Sequence, residues 1–132
     1  MKLEEIIRKT EEVMSGREDI IAAYLFGSFA AGREHEDSDV DIGIVVSGKK
    51  DFTKLTSIEK EVSDKLERKA DIRVLNDQDT RFKYQVLKTG RLIFSCDEEK
   101  RTEFEEDAMR NYLDMKPFYE NYDRFVKERL TA

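Results

Sequence analysis

Asp39 and Asp41 stand two residues apart at the head of an apolar run, Val40-Asp41-Ile42-Gly43-Ile44-Val45-Val46. If that run is a strand, its period of two puts both carboxylates on one face, side by side. Adjacent carboxylates repel, and a protein seldom sets them together without a cation to neutralise them. Oxygen ligands at this spacing suit Mg²⁺, which takes one or two carboxylates and fills its other positions with water and substrate phosphate. Upstream, Gly27-Ser28-Phe29-Ala30-Ala31-Gly32 closes a preceding apolar run. Ser28 is a suitable cap for a short helix through Ala31, and backbone N–H groups at such a start favour an anion. Asp71 opens a third run. If its strand neighbours that of Asp41, about 4.8 Å away, three carboxylates come within reach of two ions roughly 3.5–4 Å apart, as in two-metal phosphoryl chemistry.

The elements that must position these groups follow from periodicity. Residues 2–15 carry Leu3, Ile6, Ile7, Val13 and Met14 at helical spacing. Ile20 to Phe26 reads as a buried strand ending at Gly27, and a polar loop from Arg33 to Ser38 leads into a second strand, Asp39 to Val46. In that strand Val40, Ile42, Ile44 and Val46 form a core face. Asp39, Asp41, Gly43 and Val45 form the other, where Gly43 leaves space for a ligand to approach the backbone. An amphipathic helix over 52–68 uses Phe52, Leu55, Ile58, Val62 and Leu66. A third strand (Ala70 to Leu75), a short helix (Thr80 to Lys88, capped by Asp79 and stopped near Gly90) and a fourth strand (Arg91 to Cys96) follow. From Asp97 the chain is helical, with Pro117 either kinking one helix or separating two. The expected class is α/β or α+β, a four-stranded mixed sheet with helices packed on it.

Composition narrows the partners. The 132 residues fit one core, and 41% of them are charged, for a net charge of −6. Residues 1–96 hold 17 basic and 19 acidic groups, and 97–132 hold 7 and 11. Affinity for a polynucleotide needs a basic footprint, so neither part is built to hold nucleic acid unaided. No apolar run approaches a membrane span and the N-terminus lacks a signal-peptide stretch. The single cysteine, Cys96, agrees with a reducing, cytoplasmic setting.

The stretch GSFAAGREHEDSDVDIGIVV, with a third aspartate on a later strand, resembles the signature of the DNA polymerase β-like nucleotidyltransferases. In size and layout the chain is most similar to the minimal nucleotidyltransferases (MNT), the antitoxins of MNT/HEPN toxin–antitoxin pairs. YLDMKPFYENY is similar to the C-terminal helix of that group. The resemblance implies one nucleotidyltransferase domain over 1–132, with 96–132 as a helical extension and partner surface. It implies transfer of AMP from ATP to a hydroxyl, with Mg²⁺ and loss of pyrophosphate. Asp39 and Asp41 would hold two ions. Asp71 would bind one of them and help to deprotonate the acceptor, while Gly27, Ser28 and nearby N–H groups would hold the β- and γ-phosphates. In the antitoxins the acceptor is a tyrosine of the HEPN ribonuclease toxin, silenced by AMP. The motif departs from the family at Ala31, where many members have arginine; contact to the triphosphate then either falls to Arg33 or is weaker.

Other residues carry plainer expectations. Arg73 shares the face of Asp71 and either pairs with it or meets a phosphate; the ion pair is favoured. His35 reads as a solvated loop residue, Lys49 and Lys50 as a solvated turn, and Cys96 as a buried, inert thiol. Six of the thirteen aromatics lie in 104–125, more than one helical stripe needs, so core packing competes with a partner or self-association surface. Two other functions stay open: a module that neutralises its partner by contact, and nucleotidylation of a small-molecule hydroxyl.

Overall fold

A computed structural model describes residues 2–33, 38–48 and 51–131. Its strands are β1 (Ile20–Phe26), β2 (Val40–Val46), β3 (Ala70–Val74) and β4 (Arg91–Ser95). They form one mixed sheet in the order β3-β2-β1-β4. β1 runs antiparallel to both neighbours, and β2 runs parallel to β3 across the connecting helix. The end of β1 and the starts of β2 and β3 therefore share one edge, where Gly27, Asp39, Asp41 and Asp71 meet. His35, Lys49 and Lys50 lie outside the described residues.

The strand alternation read from the sequence separates two apolar layers. Val40, Ile42 and Ile44 join Ala23, Leu25 and Ile72 beneath α1 (Leu3–Ser15) and α2 (Phe52–Leu66), which supply Ile6, Val13, Met14, Ile58, Val62 and Leu66. Ala22, Tyr24 and Val45 face α3 (Thr80–Thr89) and α4 (Glu98–Thr131), with Val86, Phe82 and Phe104 against them. Phe52 departs from its expected core position and is 82% exposed; it occupies the first helical position, outside the stretch of α2 that meets the sheet. Asp51 caps this helix by accepting from the N–H groups of Thr53 and Lys54, and Asp79 caps α3 through Phe82 N–H. Each such cap contributes roughly 1 kcal/mol.

β3 is an edge strand whose outward N–H groups need partners. α2 provides them: Ala70 N–H donates to Ser63 Oγ and Ile72 N–H to Glu59 Oε1, both at 3.0 Å. The strand ends at Val74 because Leu75 begins a 3₁₀ turn, Leu75–Asp77. Leu75 is fully buried, and its side chain fills the space above Gly43. A Cβ at Gly43 would lie 2.8 Å from Leu75 Cδ2. Gly43 is thus a packing glycine, correcting the expectation that it leaves room for a ligand.

α4 is one continuous helix of 34 residues with Pro117 inside it, about 51 Å long at 1.5 Å per residue. It stays whole because α3 grips it on both sides of the proline. Tyr84 stacks on Tyr112 at 3.6 Å, and Arg81 pairs with Asp123 and covers the Tyr119 ring. Nearer the sheet, the buried Tyr24 hydroxyl donates to Glu105 at 2.7 Å, and Arg101 supports the same carboxylate. Cys96 lies one residue past β4 and is exposed, with its thiol donating to the Ile20 carbonyl at 3.0 Å. The buried, inert position expected for it is therefore wrong: the chain leaves the sheet at Ser95 to enter α4. Among the described residues no helix is long and apolar enough to cross a membrane.

Candidate active site

The site is built on register. Phe26 pairs with Asp41 across β1 and β2, and Asp41 pairs with Asp71 across β2 and β3. All three side chains point to the α3/α4 side, because Val40, Ile42, Ala70 and Ile72 point to the other. Asp39 precedes the strand, whose first link is Val40 N–H donating to the Lys69 carbonyl at 3.0 Å.

Gly27 fixes the approach from β1. Its φ is +76°, and a Cβ there would sit 2.4 Å from Asp41 Oδ2. Two conditions exclude a side chain at this position: left-handed backbone and a carboxylate in the space. After Gly27 the chain does not form the expected short helix capped by Ser28. It makes a single turn, in which Ala31 N–H donates to the Gly27 carbonyl at 3.1 Å and Arg33 N–H to the Ser28 carbonyl at 2.8 Å. Gly32 ends it at φ +71°. The segment between the two left-handed glycines is too short to propagate a helix. Any attraction for an anion therefore comes from the N–H groups of a turn rather than from a helix dipole. The side chain of Ser28 is half-buried, and Arg33 is exposed at the turn's exit.

Electrostatics show how the acids see one another. Burial is the main reason that the Asp41 carboxyl titrates above its ordinary range; the charges of Asp71 and then Asp39 raise it further, and Arg73 opposes them. Asp39 faces Lys69 Nζ at 3.8 Å and Asp71 faces Arg73 Nε at 3.6 Å, as favoured for Arg73. Both acids are partly open, with side chains 45% and 39% exposed. Among the described residues no three acidic, histidine or cysteine side chains stand close enough to enclose a metal ion as they are oriented. The donor chemistry nevertheless fits a hard divalent cation. Three carboxylates share one field, and two already lean on cationic side chains.

Two contributors were not legible in the sequence. Arg68 donates from Nη1 to the Ser38 carbonyl at 3.2 Å, and its guanidinium lies 5.1 Å from the Phe29 ring centroid. It thereby ties the Gly27–Gly32 turn to the residue before Asp39. Phe82 from α3 meets Phe26 edge-on, with centroids 5.5 Å apart, and carries the Arg73 guanidinium at 5.5 Å. Phe82 has no sequence signal beyond its place in a helix, and Arg68 lies in the bend before β3, because the helix expected over 52–68 ends at Leu66 with Glu67 as its left-handed cap. A cavity of about 280 Å³ opens at the opposite end of the sheet, among Asp19, Val46, Asp51, Phe52 and Leu55, and none of the predicted site residues lines it.

Comparison with known proteins settles the family. Residues 8–99 match the family described as polymerase beta, nucleotidyltransferase. The chain belongs to that nucleotidyltransferase family. The matched span includes the Gly27 turn and all three aspartates. Among solved structures, a toxin–antitoxin with AMP-PNP is similar at 18% identity and TM-score 0.74, covering 96% of this chain and 98% of that one. A mutant MntA–HpeT toxin–antitoxin with two aspartates changed to glutamate matches at 16% identity and TM-score 0.75, with 96% and 98% covered. A complex of tri-AMPylated HEPN toxin from Shewanella oneidensis with MNT antitoxin matches at 16% identity and TM-score 0.69, with 96% and 97% covered. At these identities the likeness is one of fold, and this nucleotidyltransferase shares it along nearly its whole length, α4 included. No curated protein matches the chain by sequence.

Proposed function

We propose that this nucleotidyltransferase transfers AMP from ATP to a tyrosine hydroxyl of a HEPN-type toxin protein and so acts as its antitoxin in the cytoplasm. The observation that carries the reading is the Gly27 turn set against Asp41, with Asp71 in register beside it. Asp39, Asp41 and Asp71 would hold two Mg²⁺ ions. When bound, Mg²⁺ would neutralise the triphosphate and the departing pyrophosphate. Asp71, which stands next to Arg73 and is partly open to solvent, would accept the proton of the attacking hydroxyl. That oxygen bonds to the α-phosphorus as the bond from the α-phosphorus to its bridging oxygen breaks, releasing pyrophosphate. The N–H groups after Gly27, with Ser28 and Arg33, would receive the β- and γ-phosphates; Ala31 adds no charge there.

The relatives support this reading. One is a complex with AMP-PNP, one contains an AMPylated HEPN toxin, and in one two aspartates, two positions apart, were altered. The carboxylates stand at an open edge, which suits an acceptor as large as a protein better than a small molecule. For the partner surface, α4 offers Leu113, Phe118, Tyr122 and Phe125, all more than half exposed. α3 contacts the same helix at Tyr112, Tyr119 and Asp123.

The test uses α-labelled ATP, Mg²⁺ and a HEPN-type protein sought in the open reading frame adjacent to this one. Label should appear on a toxin tyrosine, and Asp39→Asn with Asp41→Asn should abolish it. Transfer by the double variant at the wild-type rate would overturn the assignment. The exposed face of α4 favours a second reading, neutralisation by contact alone. In that case the aspartate variants would still neutralise the toxin, while removal of residues 113–132 would not.

A further inference from the structure

Arg73 stands one row behind the carboxylates, opposite Gly43 on β2 and two residues beyond Asp71. Its nearest approach to Asp71, 3.6 Å from Nε, is longer than a hydrogen bond and lacks the geometry of a tight, bidentate arginine–carboxylate contact. What holds the guanidinium is the Phe82 ring, which is braced in turn by Phe26. A planar, weakly hydrated guanidinium suits such a shelf, where a lysine would be a mobile, hydrated point. Lys69 plays a looser part at the outer acid, Asp39.

We propose that Arg73 is the resident counter-ion of the carboxylate site: parked on Phe82, it competes with a divalent cation for Asp71 and sets how tightly that cation binds. The inference rests on the reading that these carboxylates hold a metal ion. It follows from what the arginine does in each state. Without a metal it offsets the mutual repulsion of the acids, so that they can stand at one sheet edge. With a metal bound it remains on the ring as a like charge nearby, and affinity is lower than three carboxylates alone would give. A unit charge ~6 Å from a divalent ion in a water-like medium changes affinity about tenfold, falling to about threefold once 0.15 M salt screens it.

The experiment is a calorimetric titration of Mn²⁺ and Mg²⁺ into the intact chain, without nucleotide or partner. Arg73→Gln and Arg73→Met should both bind the ion about tenfold more tightly at low salt and about threefold at 0.15 M, while Arg73→Lys, which keeps the charge, should stay near wild type. Met preserves the aliphatic packing on Phe82, and a thermal melt confirms that each variant is folded. Equal or weaker binding by the two neutral variants would overturn the proposal, as would a gain in affinity that ignores salt. A wild type that takes up no divalent ion at millimolar concentration would refute the metal reading itself, and this inference with it.

Discussion

The sharpest consequence of the site's geometry concerns two glycines that the backbone treats alike. Gly27 and Gly32 both lie in the left-handed region, at φ +76° and +71°. Gly32 has no described atom within 4 Å of where a Cβ would stand, whereas Gly27 has Asp41 Oδ2 at 2.4 Å. Gly32→Ala should therefore carry only the left-handed cost, about 1–2 kcal/mol. For 132 residues that is a melting-temperature loss of ~4–7 °C. Gly27→Ala carries the same cost, and in addition the carboxylate must retreat by about 1 Å to reach an ordinary contact distance. A displacement of that size at a reacting centre costs ~100-fold in rate. Circular-dichroism melts and single-turnover transfer from α-labelled ATP separate the two effects. Both variants should lose stability, and Gly27→Ala alone should lose most of its transfer rate. If the two variants transfer equally, the contact between Gly27 and Asp41 does not position the reaction, and the reasoning fails.

Two further outcomes follow from burial and charge. The Asp41 carboxyl holds its proton more tightly in the folded chain than in the unfolded one, chiefly through burial and the neighbouring acids. The associated stability is thus full at low pH and is lost as pH rises through the folded value. In metal-free buffer at pH 7, Asp41→Asn should stabilise the protein by about 1 kcal/mol, from one like charge at the ~4.8 Å strand spacing in a water-like medium; the gain should vanish in acid, and added Mg²⁺ should stabilise wild type but not the variant. An unchanged melting temperature across pH 4–8 would contradict this. Thr10 is fully buried in α1, and its hydroxyl has no hydrogen-bond partner among the described residues. Thr10→Val keeps the shape and removes the unpaired group, so the melt should rise by about 4 °C for ~1 kcal/mol; a fall would mean that the hydroxyl is satisfied in solution.

Much of this molecule was readable in one dimension, because period-two and period-3.6 patterns are imposed by the very layers that bury them. Residues 40–46 show it best: the even-numbered apolar positions enter the α1/α2 layer and Val45 enters the other, as alternation requires. The Asp79 cap, the Arg73–Asp71 pair and the Gly27 boundary are short-range chemistry, and short range is what sequence encodes directly. Tertiary structure decided the rest. It filled the space above Gly43 with Leu75, gave the left-handed glycine a carboxylate to admit, and replaced a capped helix by one turn between two left-handed residues. Six aromatics of the last helix were divided by contacts no local pattern contains. Phe104 went to the core, Tyr112 and Tyr119 to α3, and Phe118, Tyr122 and Phe125 to an open face. The acids themselves followed the same rule. Their spacing specified that two share a face, but only the parallel pairing of β2 with β3, which brings together residues 30 positions apart, put Asp71 beside Asp41.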